Sequence, residues 1–253
     1  MTFPSKIAIV TGGSRGIGRN TVLTLAERGL DTILTYNTNK AEAEKVAEQV
    51  ARSGRKTVAL QLDVGAAGSF DGFVERVRGA LRELGAERFD FLVNNAGTSS
   101  AMSFQNATEA ELDSIFDVHF KGVFLLTQKL LPLINDGGRI VNISSALAQR
   151  PMIGRAVYGP MKAAVEALTK YMALELGPRR IAVNVVAPGA VATDFSGGMV
   201  RDNPDVNKFV AEHTALGRAG LPEDIGPMIA ALLSEDNRWV NGQRIEVSGG
   251  MGL

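Results

Sequence analysis

Short apolar runs alternate with helical segments along nearly the whole chain, and this alternation constrains the fold more than any other feature of the sequence. Strands and helices that alternate in this way form parallel β-α-β units joined by right-handed crossovers. The sequence therefore predicts an α/β fold, with a doubly wound parallel sheet of about seven strands and helices on both faces. Seven segments are predicted to be strands: 6–10, 32–35, 57–62, 89–93, 139–143, 181–186 and 243–247.

The two longest predicted helices cover residues 108–133 and 156–176. Thr108 and Glu111 have the spacing of a capping box at the start of the first of these helices. Residues 193–220 show no clear periodicity. Since no linker or repeat divides the chain, residues 1–253 are expected to form a single domain.

Composition narrows the class of protein. The 253 residues are 45% hydrophobic, which suits one large domain with a substantial core. The 27 basic residues equal the 27 acidic ones, and this balance argues against nucleic acid or an anionic membrane as a partner. No apolar run is long enough to cross a membrane, and the first residues lack signal-peptide features, so we expect a cytoplasmic protein. With no cysteine and two histidines, the sequence also argues against disulfides and a zinc site.

A glycine-rich loop, Thr-Gly-Gly-Ser-Arg-Gly-Ile-Gly over residues 11–18, joins the first strand to the first helix. Glycines let the backbone approach a pyrophosphate closely, and the helix N-terminus offers free N–H groups and a positive dipole end. The spacing differs from the commonest dinucleotide-binding pattern, and tight turns also favour glycine. Alone, the loop is therefore weak evidence for such a site.

Small or polar residues also follow four later strands, at Asp63, Asn94–Gly97, Ser145 and Pro188-Gly189. The carboxyl ends of parallel strands meet at one edge of a doubly wound sheet, where ligands bind. We therefore expect these residues to border one crevice, because turn formation alone is a poor explanation for five such strand ends.

Tyr158 and Lys162 lie four residues apart in a predicted helix, so their side chains share one face. A neighbouring ammonium group favours the phenolate and lowers the pKa of about 10 that a free tyrosine has. Pro151 and Gly154 allow the chain to turn, so the hydroxyl of Ser145 can reach the same place. In isolation this pair is most simply an ordinary helix-surface pair, whereas beside the crevice it favours acid–base chemistry.

Taken together, these motifs resemble the short-chain dehydrogenase/reductase family over nearly the whole chain, in the family's order and spacing. The chain is most similar to the 3-oxoacyl-carrier-protein reductases and the related NADPH carbonyl reductases. The resemblance implies a Rossmann-type fold and an oxidoreductase that reduces a ketone or aldehyde with NADP(H), a 3-oxoacyl thioester being the first substrate considered. Two alternatives stay open: a sugar or polyol dehydrogenase acting oxidatively, and a cofactor-binding regulatory protein with weak turnover.

The resemblance also implies roles for individual residues. Tyr158 would transfer a proton to the substrate carbonyl, Lys162 would hold the nicotinamide ribose and lower the pKa of Tyr158, and Ser145 would bind the substrate oxygen. Residues 193–220 would form the substrate loop. The residues implied to bind the cofactor are Gly12, Ser14, Arg15, Gly16, Ile17, Gly18, Tyr36, Asn37, Asp63, Val64, Asn95, Ala96, Gly97, Tyr158, Lys162, Pro188, Gly189, Val191 and Thr193.

The sequence departs from the family at one position, because His119 stands where asparagine is usual and where a water connects to the lysine. We consider a role in the proton relay and a packed helix histidine equally. An imidazole with the ordinary pKa of about 6.5 would become charged beside Lys162 in acid and reduce activity there. The other histidine, His213, is expected to be solvated, and Trp239 to pack.

Two further expectations concern cofactor choice and assembly. No acidic residue follows the second strand, where Tyr36 and Asn37 stand, and Arg15 can bind a 2′-phosphate, so we expect NADP(H) over NAD(H). The two long helices carry apolar residues on more than one side, which indicates a second partner for each. The resemblance implies a homotetramer, or at least a homodimer, with residues 248–253 at another interface.

Overall fold

The computed structural model describes residues 6–253, and its centre is one parallel sheet of seven strands in the order β3-β2-β1-β4-β5-β6-β7. The order reverses between the adjacent strands β1 and β4, where a doubly wound sheet opens a crevice. The predicted fold class is therefore confirmed. The strands are β1 (Ile7–Val10), β2 (Asp31–Tyr36), β3 (Thr57–Gln61), β4 (Phe89–Asn94), β5 (Ile134–Ile143), β6 (Ala182–Pro188) and β7 (Arg244–Val247).

Helices cover both faces of this sheet, and each face has its own apolar core. On one face, Leu25, Val50 and Ile229 are among the packed side chains. On the other face, Phe73 and Leu130 pack in the same way. The helices are α1 (Gly16–Glu27), α2 (Lys40–Arg52), α3 (Phe70–Glu83), α4 (Glu109–Phe116), α5 (Gly122–Leu130), α6 (Tyr158–Glu175), α7 (Met199–Asp202), α8 (Pro204–Glu212) and α9 (Pro222–Leu232).

The helix predicted over 108–133 is interrupted, because a π-helical turn over Asp117–Lys121 separates α4 from α5. Gly122 lets this turn lie against the loop after β3, since a Cβ there would overlap the backbone oxygen of Val64. Single π-helical turns inside helices occur frequently at functional sites. This one contains His119.

The start of α4 is capped differently from the prediction. Thr108 Oγ1 accepts a hydrogen bond from the N–H of Glu111 at 3.2 Å, as a helix cap should. The carboxylate of Glu111 does not complete a capping box, because it accepts a hydrogen bond from the hydroxyl of Ser100 instead. This bond ties α4 to the loop that follows β4.

Strand β5 begins earlier than predicted, at Ile134. The register with β4 shifts between Phe89, which pairs with Ile134, and Phe91, which pairs with Arg139. Gly137 lies in this irregular part with a φ of +78°, a conformation that glycine adopts without strain. The polar residues there concealed the extension, because apolar runs were the signal for strands.

Residues 193–220 are more ordered than the missing periodicity predicted. They contain α7 and α8, and Asn203 caps α8 by accepting hydrogen bonds from the N–H groups of Asp205 and Val206. An Asn-Pro pair is a recognised start signal for a helix, so the sequence did carry this information. His213 is exposed and lies at the end of α8, in agreement with the expectation.

Three observations complete the description of residues 6–253. No helix in this range is long and apolar enough to cross a membrane. No group of three or more His, Cys, Asp or Glu side chains there could hold a metal ion. Trp239 does not pack as predicted, since its side chain is 96% exposed.

Candidate active site

The glycine loop leaves β1 and enters α1 with its backbone packed too closely for side chains. Gly12 and Gly16 have φ values of +64° and +54°, which other residues rarely adopt. A Cβ on Gly18 would overlap the carbonyl oxygen of Gly12. Arg15 precedes α1 and makes no capping hydrogen bond, so the first N–H groups of the helix keep their capacity to donate. The loop therefore fits a phosphate group.

Hydrogen bonds hold the loop after β4 against the glycine loop. Thr11 Oγ1 accepts hydrogen bonds from the N–H groups of Asn95 and Ala96, each at 3.0 Å. The Asn95 amide donates to the carbonyl oxygens of Thr11 and Gly12 at 2.8 and 3.2 Å. Thr11 was not among the predicted site residues, although its place before the glycines and its hydroxyl were visible in the sequence.

The end of β2 presents no acidic side chain to the crevice, because the residues from Tyr36 to Lys40 are all uncharged or basic. Tyr36 is buried, and Asn37 is exposed. On the neighbouring strand end Asp63 is exposed and accepts a hydrogen bond from Gly65 N–H at 2.9 Å. Within the described chain Arg15 forms no ion pair, so its guanidinium can meet an added anion.

The loop after β6 reaches the glycine loop from the opposite side. Thr193 is 8% exposed, and a Cβ on Gly16 would lie 3.4 Å from it, which is ordinary contact. Gly189 approaches the C-terminal segment closely, since a Cβ there would lie 2.9 Å from the Cα of Ser248. Val191 forms a parallel bridge with Gly220. The structure thus brings the predicted residues of the first and sixth strand ends together.

Tyr158 is the first residue of α6 and is 7% exposed. Its ring is nearly perpendicular to the His119 ring, with the centroids 5.2 Å apart, and the centroid of the Phe195 ring lies 6.1 Å away. Lys162 Nζ lies 5.6 Å from the centroid of the phenol ring. Tyr158, Lys162 and His119 therefore form one cluster, and Phe195 is a neighbour that the sequence did not single out.

The pKa of Tyr158 is raised, not lowered. Burial is the largest cause, and the hydrogen bond with Ser145 and the charge of Arg155 oppose it only in part. Lys162 is 5% exposed, donates to the carbonyl oxygen of Ile143 at 2.8 Å, and has its pKa lowered by burial to about 7. The expected lowering of the phenol pKa by Lys162 is not found, and the cation that acts on the phenol is Arg155.

The two adjacent serines at the end of β5 have different partners. Ser144 Oγ donates to Glu166 Oε1 at 2.7 Å and is 2% exposed. Ser145 Oγ accepts a hydrogen bond from Leu147 N–H at 3.2 Å and is the serine bonded to Tyr158. The expectation that the hydroxyl of Ser145 reaches Tyr158 therefore agrees with the geometry.

His119 is 1% exposed in the π-helical turn. Its Nε2 lies 2.7 Å from the carbonyl oxygen of Thr98 and 3.3 Å from the nitrogen of Thr98, and Nδ1 has no partner within the described residues. The shorter distance favours the neutral tautomer in which Nε2 donates to the carbonyl oxygen. Burial first, and the charge of Lys162 second, lower the pKa to about 3. The expectation that this ring becomes charged near its ordinary pKa is therefore wrong.

Comparisons with known proteins agree with this geometry. A family model described as enoyl-(acyl carrier protein) reductase matches residues 12–252. An uncharacterized oxidoreductase of Methylorubrum extorquens is 39% identical, covering 97% of both chains. The hydroxynaphthalene reductase-like protein Arp2 of Metarhizium brunneum is 34% identical, over 98% of this chain and 96% of its own.

Two solved structures show the same architecture. A short-chain dehydrogenase/reductase from Serratia marcescens is 36% identical with a TM-score of 0.91, covering 99% of this chain and 100% of its own. The angucycline C-6 ketoreductase LanV, solved with bound NADP, is 34% identical with a TM-score of 0.92, covering 97% of this chain and 95% of its own. With these matches along its length, the chain belongs to the short-chain dehydrogenase/reductase family of oxidoreductases.

Proposed function

We propose that this protein is an NADPH-dependent reductase that converts a ketone or aldehyde to an alcohol. The observation that carries the proposal is the cluster of Ser145, Tyr158 and Lys162 beside a glycine loop that fits a phosphate. The names of relatives that reduce hydroxynaphthalenes and angucycline ketones support carbonyl reduction. The clustered acid–base residues argue against a regulatory protein with weak turnover.

The cofactor fits the residues that face it. The glycine loop would hold the pyrophosphate, Asp63 and Val64 would border the adenine, and Arg15 would bind the 2′-phosphate. Asn95, Ala96 and Gly97 would flank the adenosine ribose, while Val191 and Thr193 would hold the carboxamide. When bound, NADPH supplies the hydride, and the protein supplies position and charge. The bound NADP in the LanV structure supports this choice.

Tyr158 acts as the general acid in this proposal. Because burial raises the pKa of the phenol, the group holds its proton until negative charge develops on the substrate oxygen. Ser145 donates a hydrogen bond to the same oxygen and so holds it beside the phenol. Lys162 lies one helical turn further along α6, where its amino group can hold the nicotinamide ribose.

His119 takes part as a neutral group. Its ring lies nearly perpendicular to that of Tyr158, and its unpartnered Nδ1 can accept a hydrogen bond from a water beside Lys162. Such a water would fit the place where the family uses asparagine. The imidazole therefore serves the relay as an acceptor and does not change charge in the working pH range.

The substrate side is formed by 147–155 and by the segment 193–220, which we propose as the substrate loop. A 3-oxoacyl thioester remains a candidate, and the names of the relatives add aromatic ketones. We retain the cytoplasmic location as a prediction from the sequence.

We further propose a homotetramer, or at least a homodimer. In the described chain, five large apolar side chains on α4, α5 and α6 are more than a third exposed, which supports a second partner for these helices. They are Leu112, Phe116, Phe124, Tyr171 and Leu174. The C-terminal segment 248–253 also contacts the substrate loop of its own chain, through the bridge between Thr214 and Met251. Light scattering at micromolar concentration tests the assembly, and a monomer would contradict it.

The test of function is a steady-state assay of NADPH oxidation with a panel of ketones, aldehydes and 3-oxoacyl thioesters. Several carbonyl compounds are expected to be reduced, and the reverse reaction with sugars or polyols to be slower. Absence of turnover with every carbonyl compound would overturn the proposal. Oxidation of a polyol that exceeds all reductions would favour the alternative dehydrogenase.

A further inference from the structure

Arg155 is a half-buried arginine in the turn that leads into α6, three residues before Tyr158. Its Nη1 donates to the carbonyl oxygen of Ser100 at 2.7 Å, and its backbone N–H donates to Met152 O at 3.1 Å. These bonds fix the guanidinium against the loop that follows β4. The carbonyl oxygen of Arg155 accepts a hydrogen bond at 3.0 Å from the N–H of Gly159, the residue after Tyr158, so Arg155 is packed against the start of α6. Its charge also acts on the phenol.

The positive charge of Arg155 is not matched by a carboxylate. Within residues 6–253 it forms no ion pair, and Nη1 is the only guanidinium atom that donates to the protein. Glu111 is engaged by the hydroxyl of Ser100, and Asp194 on the facing loop pairs with Arg201. When one guanidinium nitrogen donates to the protein, the remaining N–H groups stay available as donors. Two of them can bind the two oxygens of a carboxylate in a bidentate pair.

Exposed apolar side chains lie in the turn that holds Arg155 and on the facing loop. Met152 and Ile153 stand in the same turn as Arg155, and both are substantially exposed. Phe195 is 42% exposed, and its ring lies against that of Tyr158. A charge-assisted hydrogen bond is stronger in such apolar surroundings than in water. Arg155 is therefore the cation that an anionic group of the substrate would meet beside these apolar side chains.

We propose that Arg155 binds a carboxylate carried by the carbonyl substrate. The inference rests on the proposed function and narrows its substrate class to carbonyl compounds with a carboxylate near the reacting carbon. Arg155 is thus a specificity-determining residue, which orients the carbonyl toward Tyr158 and transfers no proton.

Matched aldehydes test this site. The anionic 3-formylbenzoate and its neutral methyl ester differ little in shape, and both are assayed with NADPH. Arg155→Gln changes the surroundings of the phenol for both substrates alike, so the ratio of kcat/KM for the acid to that for the ester isolates the contact. This ratio is expected to fall about 10- to 100-fold, the range for a lost hydrogen bond to a charged group. Arg155→Lys keeps the charge and restores part of the loss. Arg82→Gln removes the same charge at an exposed position of α3, outside the proposed site, and is the control.

A binding measurement separates this inference from the reductase function. Benzoate and benzamide are titrated into the enzyme–NADPH complex and followed by NADPH fluorescence, which needs no turnover. Arg155→Gln is expected to weaken the binding of benzoate and to leave the binding of benzamide unchanged. No reduction of any aldehyde would count against the reductase function alone. The carboxylate site is overturned if benzoate fails to bind the wild type, if its Kd is unchanged in Arg155→Gln, or if the control Arg82→Gln loses as much affinity for benzoate.

Discussion

The two sides of the crevice are built in different ways. On the cofactor side, backbone contacts set the shape: Gly18 has no room for a Cβ, and Asn95 binds the carbonyl oxygens of the glycine loop. On the substrate side, exposed side chains such as Ile153 and Phe195 line loops that contain only short helices. The first side can accept one cofactor shape, whereas the second can change its residues without disturbing the sheet. We therefore expect substrate specificity to reside in the second side.

Tyr158 stands where the two sides meet, and its replacement has the largest expected effect. Tyr158→Phe keeps the ring that contacts His119 but removes the hydroxyl that would donate the proton in the proposed reaction. We expect kcat to fall about 10²- to 10⁴-fold, the contribution of a positioned general acid, with the Kd of NADPH almost unchanged. Single-turnover kinetics and NADPH fluorescence measure the two quantities. Retention of more than about a tenth of the activity would exclude Tyr158 as the acid.

Gly18→Ala tests whether the cofactor side depends on backbone contacts. The added methyl group would overlap the carbonyl oxygen of Gly12, so the loop must move. We expect a loss of about 1–3 kcal/mol in the free energy of unfolding, and NADPH binding weakened more than about tenfold. Urea unfolding and NADPH fluorescence provide the measurements.

Gly79→Ala is the matched control for this substitution. Gly79 lies in α3 with no atom within 4 Å of an added Cβ, so the methyl group meets nothing. Alanine in a helix interior is expected to stabilise the fold by up to about 1 kcal/mol. If Gly18→Ala bound NADPH as tightly as this control, the close approach would not matter for the site.

Lys162→Met tests the cost of the buried lysine to the fold. Burial lowers the pKa of Lys162 from 10.5 to about 7, so between these values the unfolded chain binds one more proton than the native one. The free energy of unfolding of the wild type therefore rises with pH across this window. Below about pH 7 the burial of the charged lysine lowers the free energy of unfolding by its full amount, on the order of 3–5 kcal/mol. The methionine variant does not have this penalty.

The variant is expected to be inactive and more stable than the wild type at pH 7, with a difference that shrinks toward pH 10. Urea unfolding without cofactor at several pH values measures this trend. Lys170→Met, at an exposed position of the same helix, should show no such trend. Equal stability of Lys162→Met and the wild type at pH 7 would mean that the lysine is not penalised by burial.

Arg15→Ala asks whether side chains also matter on the cofactor side. Loss of a charge-assisted bond to the 2′-phosphate is expected to weaken NADPH about tenfold or more, while NADH binding is unchanged. Arg28→Ala, near the opposite end of α1, removes the same charge and serves as the control. Equal or better kcat/KM with NADH in the wild type would overturn the proposed preference.

The contrast between the two sides also explains what the sequence could predict. The sheet, the strand ends and the glycine loop were predictable, because buried parallel strands are continuous apolar runs and tight approaches require glycine. The cluster around Tyr158 was predictable as a set, because its members have fixed spacing or follow strands. The role of Thr11 was not predictable in this way. Its hydrogen bonds with Asn95 join the ends of β1 and β4, a contact that depends on the fold and not on spacing along the chain.

Features that depend on three-dimensional burial were not predictable. The raised pKa of Tyr158 and the lowered pKa of His119 come from desolvation, which has no local pattern. The residues of the π-helical turn keep the apolar periodicity of a continuous helix, so the sequence predicted a single helix where the structure has α4 and α5. Arg155 was visible in the sequence, but its lack of a carboxylate partner required the fold.

His119 gives the smallest expected effect on activity. Because the pKa of the ring is about 3, it carries no charge between about pH 5 and 9. His119→Asn is therefore expected to keep the shape of the pH profile of kcat/KM. A new acidic limb in the wild type alone would mean that the ring titrates in the working range.

The free energy of unfolding should depend on His119 in acid even though activity does not. Between pH 6.5 and 3 the histidine binds a proton in the unfolded chain but not in the native one. At pH 5 the wild type should have lost about 2 kcal/mol of unfolding free energy relative to pH 7.5, a loss that the asparagine variant lacks.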